Sequence, residues 1–386
     1  MPIYIPKSTK LLVISDTKMQ FKGDALWGFE PVVRELDSIS NLFDEIIWLG
    51  YEQHKIKSAL AKPVSLNIKL IGMPPSGGGG IIGMMKILFY YPIYIYYILK
   101  YMKGVTHIHT RAPSHPAMLT MYISSFDKKR TYWHKYAGNW NEPNPPKSYG
   151  FQRALLKKIT SNKVFATING KWPDQNENTI TFENPCITEK ELTIAKHIGQ
   201  LKTFDNKLVL LFVGNLSAFK GIKQLVDALE LIEKPECLVE LLIAGDGDLR
   251  SELEEMATVE RKVSIKVLGA LKREELVKIY SVAHINILPS SSEGFPKVVA
   301  EGAAFGCIPL VTDVSSIAQY IHDGENGFLL KDNMVPTIIT KINQIVNSLD
   351  LKSISMSSIT ISTKFTYEYF NNRVDSLFIR RSKEIV

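Results

Sequence analysis

The stretch INILPSSSEGFPKVVAEGAAFGCIPLVTD, residues 285–313, reads as strand, loop, helix, strand. INIL and IPLVT are short, unbroken apolar runs bounded by Pro, Ser or Asp, which suits strands buried on both faces. PKVVAEGAAF between them has a helical pattern with proline at its start, where a missing N–H costs nothing. Two such strands joined through a helix form a parallel crossover, the unit of an α/β sheet.

The same rhythm extends outward. Upstream lie LVLLFVG (208–214) with IKQLVDALELIEK, VELLIAG (239–245) with RSELEEMATVE, and VSIKVLG (263–269) with EELVKIYSVA; downstream comes IAQYIHD. The pattern predicts a doubly wound α/β domain. The first half has looser spacing, with strands expected at 10–15, 45–51, 66–72, 106–111, 130–136, 163–167 and 178–184. Helical patterns fall near 28–40, 82–102, 115–125 and 150–160. Two loops, PPSGGGG (74–80) and NWNEPNPPKS (139–148), are expected to be mobile. The glycines at 77–80 lack the helix-opening spacing of a nucleotide fingerprint. A Ser/Thr-rich segment (353–363) precedes a last helical pattern (365–382). The expected division is 1–190, 200–365, and a C-terminal helix from 366 to 386 that crosses back to the first domain. A chain of 386 residues suits two such domains.

Composition narrows the function. At 45% hydrophobic and 22% charged the chain is globular. Cys186, Cys237 and Cys307 have no metal-ligand spacing, so reduced thiols in the cytoplasm are expected, with no disulfide frame and no zinc site. Residues 1–186 hold 23 Lys+Arg against 13 Asp+Glu, and residues 187–386 hold 23 against 26. The basic half suits anionic lipid or a phosphorylated substrate. Nucleic acid is disfavoured, because the basic residues form no stripe interleaved with stacking aromatics. The opening MPIYIPKSTKLLVIS is too briefly apolar for a secretory signal and reads as a leader into a first strand. ILFYYPIYIYYIL (87–99), broken by Pro92 and flanked by Lys86 and Lys100, falls short of the ~20 residues that span a bilayer. It reads either as a core helix or as an interfacial one. In the second case Tyr90, Tyr91, Tyr94, Tyr97 and Tyr101 are expected at headgroup level, with Lys86, Lys100 and Lys103 near lipid phosphates, placing the protein peripherally at the inner face of the membrane.

Open α/β sheets bind ligands at the carboxyl ends of their strands. The turn SSEGFPKVVAE (291–301) is the richest of those turns. Gly294 lets backbone approach a ligand, and the helix start offers N–H groups and a positive dipole end to a phosphate. Glu301, within the helix, can accept two ribose hydroxyls. Glu293, in the loop, can accept from an adjacent sugar, and Lys220, after Gly214 and before Gly221, supplies a cation for a diphosphate. Together they suit a nucleoside-diphosphate sugar. DGD (246–248) follows a strand and reads as a turn rather than a metal motif.

The runs 212–229, 241–254, 267–313 and 321–330 resemble glycosyltransferase family 4, retaining enzymes of the GT-B fold, and Glu293 and Glu301 match that family's paired glutamates. The resemblance implies an α/β chain of two Rossmann-like domains facing across a cleft. It also implies transfer of a hexose-type sugar from a nucleotide sugar to a lipid-linked or growing cell-envelope glycan, without cofactor or metal. Carried over by residue, Lys220 holds the diphosphate, Glu301 the ribose, and Glu293 contacts the donor sugar at the reacting carbon. Gly214, Asn215, Gly294, Phe295, Pro296 and Lys297 line the donor, and backbone around Leu271 reads the base. His134 matches a first-domain histidine near the sugar. Asn215 stands where the family usually has arginine, and Ser315 and Ser316 where it often has two glycines; Arg111 or Lys22 are the expected compensating cations. A soluble acceptor, or a catalytically weakened nucleotide-binding protein, are the alternatives.

Overall fold

The computed structural model describes residues 9–383 apart from 55, 57, 58, 77–79, 205, 206, 234 and 349. The leader expected before residue 9 and the glycines 77–79 lie outside the described residues. The chain divides into two compact units, Met1–Phe182 with Asn371–Val386, and Glu183–Phe370.

Unit 1 runs β1 (Lys10–Lys22), β2 (Ala25–Phe29), α1 (Glu30–Ser38), β3 (Glu45–Glu52), β4 (Leu60–Ala61), β5 (Ile68–Met73), α2 (Gly80–Tyr101), β6 (His107–Ala112), α3 (His115–Phe126), β7 (Thr131–Tyr136), α4 (Lys147–Lys157), β8 (Val164–Ile168) and β9 (Thr179–Thr181). Its parallel strands lie in the order β5-β3-β1-β6-β7-β8-β9. β1 is longer than its apolar run because its outer half turns at Gly23 and pairs antiparallel with β2. The tyrosines expected at headgroup level on α2 turn inward instead. Tyr94 is fully buried, donates to Pro74 O at 3.1 Å and stacks on Tyr51; Tyr91 meets His115 Nδ1 at 2.9 Å; Tyr90, Tyr97 and Tyr101 pack on the same core. The 139–148 loop, expected to be mobile, is anchored at its start. Trp140 is buried against Tyr136, and Arg153 donates to Glu142 O at 2.8 Å.

Unit 2 opens with α5 (Glu189–Leu201), closed by a capping box between Thr188 and Glu191. The domain boundary therefore falls earlier than the expected 190. Leu192 and Ala195 belong to the second core, and Gly199 lies so close to the backbone of Phe305 and Gly306 that an added Cβ would sit 3.0 Å away. Then follow β10 (Leu208–Val213), α6 (Ile222–Leu229), β11 (Leu238–Ala244), α7 (Arg250–Ala257), β12 (Ser264–Gly269), α8 (Arg273–Val282), β13 (Ile285–Leu288), α9 (Lys297–Ala304), β14 (Ile308–Thr312), β15 (Phe328–Leu330), α10 (Val335–Val346) and α11 (Leu351–Ser358). The sheet order is β12-β11-β10-β13-β14-β15, parallel throughout. The Ser/Thr-rich segment is packed helix: Ser355 Oγ donates to Gly306 O at 2.7 Å and Ser362 Oγ to Ala300 O at 2.6 Å, bracing the back of α9. The last helix, α12 (Tyr367–Lys383), starts in unit 2 and ends in unit 1, where Phe378 meets the rings of Phe43, His107 and Trp133.

Candidate functional site: the carboxyl edge of the unit 2 sheet

β10 and β13 are neighbours, and from this pair the chain winds outward in both directions. That is the switch point at which open α/β sheets leave a crevice for ligands. The loops leaving the two strands are tied together, since Ser291 N donates to Phe219 O at 2.8 Å. Gly221 sits between them with φ 69°, and a Cβ there would lie 2.0 Å from Pro289 O. Only glycine fits both the left-handed backbone and the approach. The turn thus presents Lys220 to the β13 loop, where its Nζ pairs with the Glu293 carboxylate, both side chains largely shielded from solvent. At the same edge Gly214 N donates to Ala244 O at 3.0 Å, and Asn215 is exposed.

The loop after Glu293 is held by its neighbours. Gly294 O accepts from Ser316 Oγ at 3.3 Å. The Phe295 ring stacks on Phe365 at 4.5 Å and meets Tyr320 edge-on at 4.9 Å, so its side chain is an anchor and only its backbone can face a ligand. Pro296 is the N-cap rather than the first helical residue, and it makes no side-chain cap. The first turn of α9, opening at Lys297, presents the positive end of the helix dipole at this edge. The helix lies tight on β13, where a Cβ on Gly302 would meet Asn286 Nδ2 at 2.6 Å. Ser315, where two glycines are usual in the family it resembles, takes φ 55°, a conformation that glycine adopts more easily.

Glu301 lies one turn into α9. Its Oε1 accepts from Arg273 Nη1 at 2.6 Å and its Oε2 from the Tyr280 hydroxyl at 3.3 Å. Arg273 Nε also reaches Glu191 Oε1 at 3.3 Å. Burial works against the Arg273 charge, but Glu301 and Glu191 outweigh it and raise its pKa; burial, then Glu301, push the Tyr280 phenol well above its usual value. A carboxylate has about four acceptor positions, so two such bonds leave Glu301 capacity for a diol. Arg273 and Tyr280 are not among the residues expected from the sequence. One signal was available: an arginine opening a helix opposes the dipole, which is tolerable when carboxylates sit beside it. Leu271, in the loop between β12 and Arg273, is half-buried against the unit 2 core.

The other expectations fall elsewhere. His134 belongs to unit 1. It sits mid-strand in β7 between Thr110 and Ala166, fully buried, with Nδ1 2.8 Å from Thr110 Oγ1 and Nε2 3.3 Å from Ser124 Oγ. Burial lowers its pKa to about 3, leaving a neutral core histidine beside a cavity of about 610 Å³. Arg111 is engaged within unit 1 by Glu35 at 2.6 Å, and Lys22 lies over the Trp27 ring at 4.6 Å. The 246–248 segment is a turn: Asp246 accepts from Gly247 N at 2.8 Å and Arg250 at 3.3 Å.

Residues 193–353, which contain this edge, match the family described as Glycosyl transferases group 1. Over 159 residues the chain is 29% identical to an uncharacterised glycosyltransferase of Methanocaldococcus jannaschii, covering 41% of this chain and 44% of that one. Over 177 residues it is 23% identical to the capsular polysaccharide biosynthesis glycosyltransferase CapM of Staphylococcus aureus, covering 46% of each. The chain thus spans less than half the length of these two curated relatives. Among solved structures, Anabaena HepE in complex with UDP aligns with a TM-score of 0.66 at 15% identity, over 96% of this chain and 100% of that one, a likeness of fold. The chain therefore has the GT-B fold of two Rossmann-like units, and the match to the Glycosyl transferases group 1 family falls within its second unit.

Proposed function

We propose that this chain is a retaining glycosyltransferase that moves a hexose-type sugar from a nucleotide sugar to a lipid-linked or growing cell-envelope glycan. The observation that carries the proposal is the pairing of two glutamates with two cations around one helix start: Glu293 with Lys220, and Glu301 with Arg273. A nucleotide sugar has matching parts in the same order. The ribose diol meets Glu301, the diphosphate meets Lys220 and the α9 N–H groups, and the sugar lies toward Glu293. The leaving nucleoside diphosphate gains charge as the glycosidic bond breaks, and a fixed cation with aligned amides favours that charge. Without donor, Glu293 keeps Lys220 neutralised; with donor, the diphosphate competes for the same ammonium. In this reading the protein's own cation and dipole do the electrostatic work, with no metal. The resemblance to a capsular polysaccharide enzyme supports the glycan class of acceptor.

Thermal unfolding with UDP-, GDP- and ADP-sugars tests the donor, because only a bound ligand raises the transition by mass action. If no sugar nucleotide stabilises the protein and none is consumed with a glycan acceptor present, the proposal fails. The anomeric configuration of the product, read by NMR, decides retention.

A further inference from the structure

We infer that the outer face of α2, in unit 1, is a docking surface for an anionic lipid bilayer. The helix has two faces. Tyr94 and Ile98 are fully buried, whereas Met85, Leu88, Phe89, Tyr96 and Leu99 are 50–76% exposed. At about 100° per residue these exposed positions fall on one stripe roughly 100° wide, directly opposite the buried ones. Large apolar side chains gathered on one side of a single helix are not the scattered exposure normal for a soluble surface; such a patch marks an interaction site.

Charge selects the occupant. Residues 53–126 contain no Asp or Glu and eight Lys or Arg. Lys86 and Lys100 stand on the exposed side of α2, and Lys103 follows its end. The Lys100 ammonium lies over the rings of Tyr96 and Tyr101 at 5.8 and 5.3 Å, so its stem runs along the apolar stripe while its charge stays at the rim. An apolar stripe with basic edges matches the boundary between acyl chains and anionic headgroups. A second copy of the chain fits poorly, because a two-fold contact through this stripe sets lysine against lysine. No helix among the described residues is long and apolar enough to cross a membrane, so α2 lies along the surface. The surface belongs to unit 1 and the donor edge to unit 2, so the two proposals stand or fall separately.

Vesicle sedimentation of the full chain tests the inference. The protein should pellet with vesicles of phosphatidylcholine mixed with phosphatidylglycerol, should be released by added salt, and should stay in solution with pure phosphatidylcholine. The Phe89→Ser/Leu99→Ser variant should bind about tenfold or more weakly, since affinity follows buried apolar area. Both positions are exposed, so the variant should keep its thermal transition and any shift that a sugar nucleotide gives. Wild-type protein left in the supernatant at low salt overturns the inference, as does a variant that pellets like wild type. A concentration-dependent dimer that the variant breaks, with no vesicle binding, overturns it in favour of a second copy.

Discussion

Arg273 holds Glu301 through an Nη1–Oε1 bond of 2.6 Å while its Nε reaches Glu191 at 3.3 Å, so one guanidinium, at the start of α8, fixes the carboxylate assigned to the ribose and ties it to α5. Arg273→Met removes the charge and leaves both carboxylates with a lost partner. Breaking a well-buried pair costs about 3–5 kcal/mol. This one is slightly exposed, so a loss of about 1–3 kcal/mol is expected in urea unfolding, together with weaker binding of the donor. Arg273→Lys should rescue only part of either, because one ammonium cannot fork to two carboxylates. An unchanged unfolding midpoint in Arg273→Met would show that the bridge does not contribute.

Glu301→Ala should weaken the donor complex by roughly 10- to 150-fold, the loss of a charged hydrogen bond worth ~1.5–3 kcal/mol. It also strands Arg273, so stability should fall in parallel. The two effects separate by calorimetric titration of the folded variant at low temperature. Donor affinity equal to wild type there removes Glu301 from the donor site.

Lys220 and Glu293 should move nucleoside diphosphate binding in opposite directions, although both are needed for transfer. Lys220→Ala removes the cation from the leaving diphosphate, and turnover should drop by about 10²-fold or more. Glu293→Gln frees Lys220 from its ion pair, so the nucleoside diphosphate product should bind more tightly while transfer falls. If Glu293→Gln weakens nucleoside diphosphate binding, the proposed competition for Lys220 is wrong.

What could be read from the chain follows from which interactions are local. The β10-to-β14 alternation was plain because each strand is continuously apolar and each helix has its own stripe. Glu293, Gly294 and Glu301 stood out because loop, helix start and acid lie within nine residues of sequence. Arg273 was missed because its partners are 28 and 82 positions away. The inward turn of the α2 tyrosines was missed because tyrosine suits core and headgroup equally, and only packing against Tyr51 and His115 decides it. A histidine in an aromatic strand has no local mark that separates a mid-strand position from a strand end, and only the register of His134 with Thr110 and Ala166 places it mid-strand.

Backbone geometry gives a stability prediction on the same turns. Gly221→Ala must place a Cβ 2.0 Å from Pro289 O at φ 69°, so the loops carrying Lys220 and Glu293 have to part. A loss of several kcal/mol is expected, with donor-dependent stabilisation lost as well. Ser315→Gly should raise stability or leave it unchanged, because it relieves a left-handed residue that costs about 1–2 kcal/mol. Ser315→Val should lower the unfolding midpoint. Equal midpoints for the glycine and valine variants would contradict the left-handed geometry at 315.

The buried histidines make the fold acid-sensitive, and the sign follows from which state holds the proton. Burial lowers His134 to about 3 and His107 to about 4; burial, then Lys202, lowers His284 to about 4. Each titrates near 6.5 once unfolded. Between these values the unfolded chain binds protons that the native one refuses, so stability is present above about pH 6.5 and is lost as pH falls below it. The loss is at most ~1.4 kcal/mol per pH unit for each histidine. Urea unfolding at pH 7 and pH 5.5 should show the drop, and His134→Asn should make its slope shallower. Because the His134 ring is shut in between Thr110 and Ser124, the same variant should keep most of its turnover at pH 7 under conditions where it is folded. A loss of turnover by about 10³-fold in folded His134→Asn would return that histidine to the chemistry.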